Sequence, residues 1–467
     1  MRCLRPLLAG TATIALLALA SSARANDEHP NSLAPRRSMT LAEAIAYARA
    51  HQPAVVAGVA RVTARERDAD IPRAQWQPTL GVTAQLIGAT ANNTTTVFNS
   101  PSFADFPRVG ATRAVAVGAW QPYASTFVGA GATQELFDFG RIAAQTAAAD
   151  ALVDVQRQSS ANALLDVTYG VEEAYFAVYA AKAVLKAAED AFDRARAHRD
   201  LAKTGVDSGM RSPIELTRSE ADLARFDIGR IRASGGLTEA QALLAAAVGV
   251  PDAALDASGT SATPADLPAI DDAIAQANAR DPRILQALAQ LHADERRTVA
   301  IGAEQRPNLA LSGSISGRAG GADPSSGVPA NGNGWIPNVP NWDVGAVFSW
   351  PLFDPVVRAR EDASRANEEV RRDELAQTRF EQGAAIRRAY VRVLVARDAL
   401  PGLERAVEAA IANYAQADAR FKAGMGTSVE LADAEALRAD AEIQMALGVF
   451  AVARSRAAFG RLIAEGN

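Results

Sequence analysis

The sequence predicts a mainly α-helical chain with a small amount of membrane-type β-structure, built as a duplicated helix–strand–strand–helix repeat. Three observations predict it. Apolar residues alternate at Val344, Ala346, Phe348, Trp350 and Leu352 and, earlier, at Val128, Ala130, Ala132 and Leu136. Period two puts such residues on one face of a strand. Next, Arg141 to Thr204 contains no proline and one glycine; as one helix it spans roughly 95 Å. Finally, Leu41-Ala-Glu-Ala-Ile-Ala-Tyr-Ala-Arg-Ala-His-Gln-Pro53 aligns with Ile270-Asp-Asp-Ala-Ile-Ala-Gln-Ala-Asn-Ala-Arg-Asp-Pro282, and Pro78-Thr-Leu80 with Pro307-Asn-Leu309, at one offset of 229 residues. Several landmarks in constant order mark an internal repeat.

In chain order, Arg2 and Arg5, an apolar run from Leu7 to Ala20, and Ala23-Arg-Ala25 have the layout of a secretory signal peptide over residues 1–25. Asn26 to Ser38, polar and with prolines, reads as an extended or loose arm. The first repeat spans 26–250. Thr40-Leu-Ala-Glu43 is a capping box that starts a helix, interrupted at His51-Gln-Pro53 and ended by Pro78. Strands are expected at about 78–88 and 126–138, joined by a polar loop from Ala89 to about Arg108. Asp138 then caps a long helix over 141–204. Gly205-Val-Asp-Ser-Gly209 breaks that helix, the hairpin tip occupies 205–212, and Ser212-Pro-Ile-Glu215 restarts the chain with a second capping box. Residues 251–268 read as a linker.

The second repeat, 269–467, has strands at about 308–317 and 343–353, with a Gly/Pro/Asn-rich loop from Gly317 to Asn341 between them. Asp354 and Pro355 form an N-cap and first-turn pair that opens a long helix over 355–423. Its tip is 424–427. Pro401-Gly402 falls inside this helix and predicts a kink or break near Leu400, because proline costs about 3 kcal/mol in a helix interior.

Composition narrows the function. Of 467 residues, only 6% are aromatic and much of the apolar content is alanine, which favours slender helices over thick cores. The formal charge of −5 becomes −8 when the leader's Arg2, Arg5 and Arg24 are removed, so nothing favours a nucleic-acid partner. The only cysteine, Cys3, lies in the leader's charged start and not at its cleavage point, so neither a disulfide nor a lipid anchor is expected in the mature chain. No later apolar run reaches the length of about 18 residues that a spanning helix needs. An exported chain of this kind enters a membrane as strands. Four strands are too few to close a barrel, and lipid does not tolerate open sheet edges, so closure requires more copies of the chain. Four strands per chain permit a dimer as well as a trimer.

Trp342-Asp-Val-Gly-Ala-Val-Phe-Ser-Trp-Pro-Leu-Phe-Asp354, Leu136-Phe-Asp-Phe-Gly-Arg141 and the paired hairpin tips resemble the TolC-type outer-membrane efflux proteins. The resemblance covers nearly all of the mature chain. It implies a homotrimer whose strands form a barrel of about twelve, continuous with an α-helical tunnel across the periplasm. It also implies a periplasmic adaptor and an inner-membrane pump as partners, and outer-membrane lipid around the barrel. The chain would then be the exit duct of a tripartite efflux or secretion system.

In that family, acidic residues just after the second tip narrow the periplasmic end. The matching positions are Glu430 and Asp433. Three copies of each concentrate like charge in a pore, which attracts cations. Thr427-Ser-Val-Glu430 is also a capping box, which by itself accounts for Glu430; Asp433, a turn further on, is less well accounted for by capping. The family's best-known member locks this end with an arginine and a tyrosine. Here their positions hold Gly426 and Phe421, so Arg211 and Arg218 on the first hairpin, with Glu215, are the candidate supports. Trp342, Phe348 and Trp350, with Phe353, either form an aromatic belt at the membrane surface or pack between strands.

No enzyme signature is present. His29, His51, His198 and His292 are scattered, and there is no P-loop, H-E-x-x-H or G-x-S-x-G motif. No metal and no cofactor is expected. The rival reading is a non-conducting helical scaffold that bridges envelope layers in the periplasm.

Overall fold

The computed structural model describes residues 37–90, 122–250, 255–259, 266–320 and 339–465. The signal peptide, most of the N-terminal arm and most of the two predicted loops lie outside them. The chain begins with strand β1 (Arg37–Met39), helices α1 (Leu41–His51) and α2 (Pro53–Ala74), and strands β2 (Thr79–Thr90) and β3 (Pro122–Phe137). Helices α3 (Arg141–Asp207) and α4 (Pro213–Val248) form the first hairpin, followed by β4 (Leu255–Ala257). The second half holds α5 (Ile270–Arg280), α6 (Pro282–Ala303), β5 (Asn308–Gly320), β6 (Val339–Ser349), α7 (Pro355–Lys422) and α8 (Ser428–Leu462).

The repeat is visible in three dimensions. Helices α1 and α2 match α5 and α6 at both ends with the same 229-residue offset. Ala44 and Ala48 of α1 are buried, and so are their equivalents Ala273 and Ala277 of α5. The linkers between these helices behave alike too: the Gln52 side chain accepts from Ala54 N at 2.8 Å and Asp281 from Arg283 N at 2.9 Å. A helix restarted at proline needs such an acceptor for its first free N–H.

The main sheet is antiparallel, in the order β2-β3-β5-β6. Its register aligns Leu80, Ala132, Gly313 and Val344 in one row and Val82, Ala130, Ile315 and Trp342 in the next. Leu80, Val82, Ile315, Trp342 and Val344 are all exposed in the chain, which makes one face of the sheet apolar. The intervening rows are polar or small: Thr79, Thr133 and Ser312, then Gly81, Gly131, Ser314 and Asp343. The Ser314 hydroxyl donates to the Asp343 carboxylate across that face.

Helix order copies strand order. Near the sheet the helices adjoin as α2-α3-α6-α7, and near the hairpin tips as α4-α3-α8-α7. Over about 100 Å, α3, of 67 residues, therefore runs past α2, α4, α6 and α8, and α7, of 68, past α6 and α8. An alanine-rich core around Ala44, Val171, Tyr175, Val178, Leu244 and Leu255 ties α1, α3, α4 and β4 together. A smaller one around Ala273, Ile386, Val393 and Phe459 ties α5, α7 and α8.

The end of the arm is extended and joins the linker: β1 and β4 pair in parallel, Arg37 with Leu255 through Met39 with Ala257. Lys182 fixes that pair by an ion pair of 2.9 Å to Asp256 and a hydrogen bond to Ala257 O. Leu136 does not keep the phase of Val128: a bulge between Glu135 and Phe137 sets Phe137 opposite Leu309. One extra residue reverses the facing of everything after it. Of the expected kink or break near Leu400, there is no break: helix α7 continues through Pro401. No helix among the described residues is long and apolar enough to cross a membrane.

Candidate functional site

The two hairpin tips form the same turn. Gly209 and Gly424 each hold φ +74°, in the left-handed region. Met210 N donates to Gly205 O and Gly209 N to Val206 O; Met425 N donates to Arg420 O and Gly424 N to Phe421 O. This is the Schellman closure of a helix end, which glycine adopts without a Cβ penalty. Both tips leave a methionine exposed, Met210 and Met425.

The sequence-predicted site residues lie at the hairpin tips and at the sheet end of the helices. Glu430 and Asp433 are both exposed near the start of α8, three residues apart and so on one helix face. Thr427 Oγ1 accepts from Glu430 N at 3.2 Å, which is half of the expected capping box; the Glu430 carboxylate lies instead 3.8 Å from Arg420. At the first tip, Ser212 makes no side-chain cap bond. Glu215 pairs with Arg211 at 2.8 Å in place of capping.

Arg211 joins the tips. Its Nη2 donates to Phe421 O at 2.7 Å, its guanidinium carbon stands 3.7 Å from the centre of the Phe421 ring, and its side chain packs against Gly205. Phe421 is buried. The hydroxyl-free ring is thus used as a cation–π platform, and the backbone carbonyl supplies the polar contact. Arg218 is exposed and takes no part in this junction.

A polar cluster above the tips was not legible in the sequence. Glu435 of α8 is 1% exposed and receives Arg194 Nε of α3 at 2.9 and 3.0 Å. Arg194 Nη2 also lies 3.5 Å from Glu442. His198 Nε2 meets the Tyr414 hydroxyl at 2.8 Å. Tyr414 sits between the Arg194 and Arg438 guanidinium groups. Burial pushes the Glu435 carboxyl above its ordinary range, with Arg194 offsetting part of the shift, and the Tyr414 phenol up to about 12. Burial also holds the His198 imidazole below its usual value. Glu435 and Arg194 are 241 positions apart, so only the pairing of α3 with α8 could reveal them.

At the other end, Asp354 is the α7 N-cap and accepts from Val356 N at 2.8 Å and Val357 N at 3.2 Å. Asp138 is buried and acts from further back: Gly140, in the left-handed region, is the α3 N-cap, while the Asp138 carboxylate accepts from Gly140 N at 3.0 Å and from Ile142 N. Trp342, Phe348 and Trp350 are exposed. Among the described residues no acidic, histidine or cysteine group has the arrangement of a metal site.

Among the described residues the antiparallel sheet has one apolar face, is bounded by β2 and β6, and carries helices of about 100 Å. The comparisons give the chain's family. The outer membrane efflux protein model matches residues 44–250 and 273–464, one segment in each repeat. The chain belongs to the outer membrane efflux protein family. It is 28% identical over 404 residues to Protein CyaE of Bordetella pertussis, a match that covers 85% of this chain and 78% of that protein. The outer-membrane channel OprN has a TM-score of 0.68 at 21% identity, covering 94% of both chains. The CmeC outer membrane channel of Campylobacter jejuni has a TM-score of 0.71 at 14% identity, covering 91% of this chain and 85% of that one. At these identities the structural likeness establishes the fold. The protein is an outer-membrane efflux channel that extends into the periplasm, and the scaffold reading is set aside.

Proposed function

We propose that the chain works as a homotrimer whose tunnel is gated at the hairpin tips. The observation that carries a closed ring of copies is that β2 and β6 have no outer partner among the described strands, on a sheet with one apolar face; three as the number of copies is what the family resemblance implies. Lipid leaves no backbone group unpaired, so β6 of one copy pairs with β2 of the next until the ring closes. Helices follow their strands: α7 of one copy then lies beside α2 and α4 of its neighbour. Exposed apolar residues occur on each of these elements, Phe380, Val391 and Val395 on α7, Val56 and Val59 on α2, Ile228 and Ile231 on α4. Trp342, Phe348 and Trp350 sit at the membrane surface in this arrangement.

Periplasmic adaptor and inner-membrane pump deliver cargo to the tip end. There Glu430 and Asp433 from each copy ring the entrance, and Arg211 holds the two tips of each chain together. Asp433, which caps nothing, is the main selectivity group. In planar-bilayer recordings Asp433→Ala is expected to lose cation preference and to change conductance, with Arg218→Ala as a neutral control. Unchanged conductance and ion preference in Asp433→Ala, with the oligomer intact, would sink the gate.

A further inference from the structure

A cleft of about 590 Å³ lies between α4 and α8, over α3. It runs from Ala177 to Ala191 along α3 and from Phe226 to Ala240 along α4, about 21 Å in each helix at about 1.5 Å per residue. Small side chains keep it open. The α3 floor is alanine at every lining position except Val184. On α4, Gly229, Ala233, Gly236 and Ala240 recur at helical spacing and so share one face. Both glycines have nothing within 4 Å of the place where a Cβ would sit. Ile443, Leu447 and Phe450 of α8 form the opposite wall. The one charged residue on this apolar lining is Arg232. It is exposed and, unlike its neighbours Arg225 and Arg230, which pair with Asp222 and Asp227, it has no carboxylate partner among the described residues.

Shape and charge together select an occupant. Volume over length gives a mean cross-section of about 28 Å². An α-helix, about 10–12 Å across, needs about 80 Å² or more. A single extended hydrocarbon chain, about 5 Å across, needs about 20 Å². A length of about 21 Å takes about 17 bonds of such a chain at about 1.2 Å each. The trough therefore fits one alkyl tail and not a helix. An unpaired guanidinium at its rim adds a site for a carboxylate, which it can grip through two parallel N–H groups. The exposed Ile228 and Ile231 of α4 are turned about 100° or more away from the glycine face, so a neighbouring copy lying on them leaves the cleft open.

We propose that this cleft binds one long-chain fatty acid per copy, with the hydrocarbon tail laid along Gly229 and Gly236 and the carboxylate held at Arg232. Three helices of a single chain build the cleft, so it stands or falls apart from the trimer and the gate. The full-length protein in phosphatidylcholine nanodiscs is incubated with a palmitate analogue carrying a diazirine on its tail, irradiated and digested, and labelled peptides are located by mass spectrometry. Labels are expected within 177–191, 226–240 and 439–450, the stretches that line the cleft, and unlabelled palmitate should displace them. Gly229→Leu with Gly236→Leu fills the trough from positions with open space around them, so the oligomer still assembles, and labelling there should fall about tenfold or more. Arg232→Gln should weaken competition by palmitate about tenfold, as for one lost hydrogen bond to a charged group, and leave competition by hexadecanol as it is. Undiminished labelling in the double variant, or label confined to the strands, overturns the site. An equal effect of Arg232→Gln on palmitate and hexadecanol, or none on either, overturns the place of the carboxylate. Displacement by a purified periplasmic adaptor or by phosphatidylglycerol, and not by palmitate, assigns the cleft to a helix or to a two-chain lipid and overturns the fatty acid.

Discussion

Helices α3 and α7 are near-equal in length and equivalent in the repeat, yet they live in different surroundings. Helix α3 is walled by α2, α4, α6 and α8, and buries Val153, Leu165, Val171, Tyr175 and Val178 along its length. Helix α7 is flanked within the chain by α5, α6 and α8, and leaves Val370, Phe380, Val391 and Val395 exposed. The same repeat unit thus gives a helix covered on both sides and one covered less. Duplication fixes which strands and helices form; position in the strand order decides which of them is flanked on both sides within the chain.

The sharpest break of this contrast is electrostatic. Arg194→Ala leaves Glu435 buried without its main partner and is expected to cost about 3–5 kcal/mol. Arg454→Ala removes the pair to Glu173, whose groups are 57% and 32% exposed, and should cost under about 1 kcal/mol. Denaturant unfolding of the detergent-solubilised protein, followed by circular dichroism, measures both. A comparable loss in the two variants would remove the distinction between the buried and exposed links of α3 to α8.

Packing gives the next effect. Leu165→Ala on α3 empties a buried site and should lower stability by about 2–5 kcal/mol. Val391→Ala with Val395→Ala on α7 should leave the fold of each chain intact and weaken the oligomer, read as a lower temperature for conversion to monomer on gels. If these two variants behave alike, α7 is not where copies meet. Smaller still are the two junction caps. Asp138→Ala, at a buried carboxylate holding two N–H groups, should cost about 2 kcal/mol, and Asp354→Ala, at a more accessible site, about 1 kcal/mol.

The smallest effect is on pH. Burial holds the His198 imidazole below its ordinary 6.5, with Asp418 opposing and Lys422 and Arg194 adding to the shift. The fold therefore favours the neutral ring. Its contribution is present in full above 6.5 and is lost as the pH falls through the lower, folded value. The melting temperature should fall on acidification, and His198→Gln should flatten that slope. An unchanged slope would mean that other groups carry it.

Local chemistry was readable where its causes are local. Thr40 and Glu43 form the reciprocal capping box, with Thr40 N donating to Glu43 at 2.9 Å, and Asp354 caps α7 as its neighbour Pro355 implies. Ser212 shows the limit of such motifs. Arg211, one residue before it, captures Glu215 and spends its other nitrogen on Phe421 of the second tip, a choice made by a residue 210 positions away. Leu136 shows another limit, because a bulge is a property of the β3-β5 pair and leaves no mark on β3 alone.

By itself the sequence determined the repeat, the strand faces, the long helices and their tips, since periodicity, caps and glycine positions act over a few residues. It also carried the resemblance that pointed to an outer-membrane duct. Only the tertiary structure decided that Pro401 stays inside a continuous helix, that β1 and β4 pair, and that Arg194 meets Glu435 in a buried site. Those outcomes depend on which helices adjoin. A lost hydrogen bond or a buried charge is tolerated or costly according to partners that the chain supplies from hundreds of residues away.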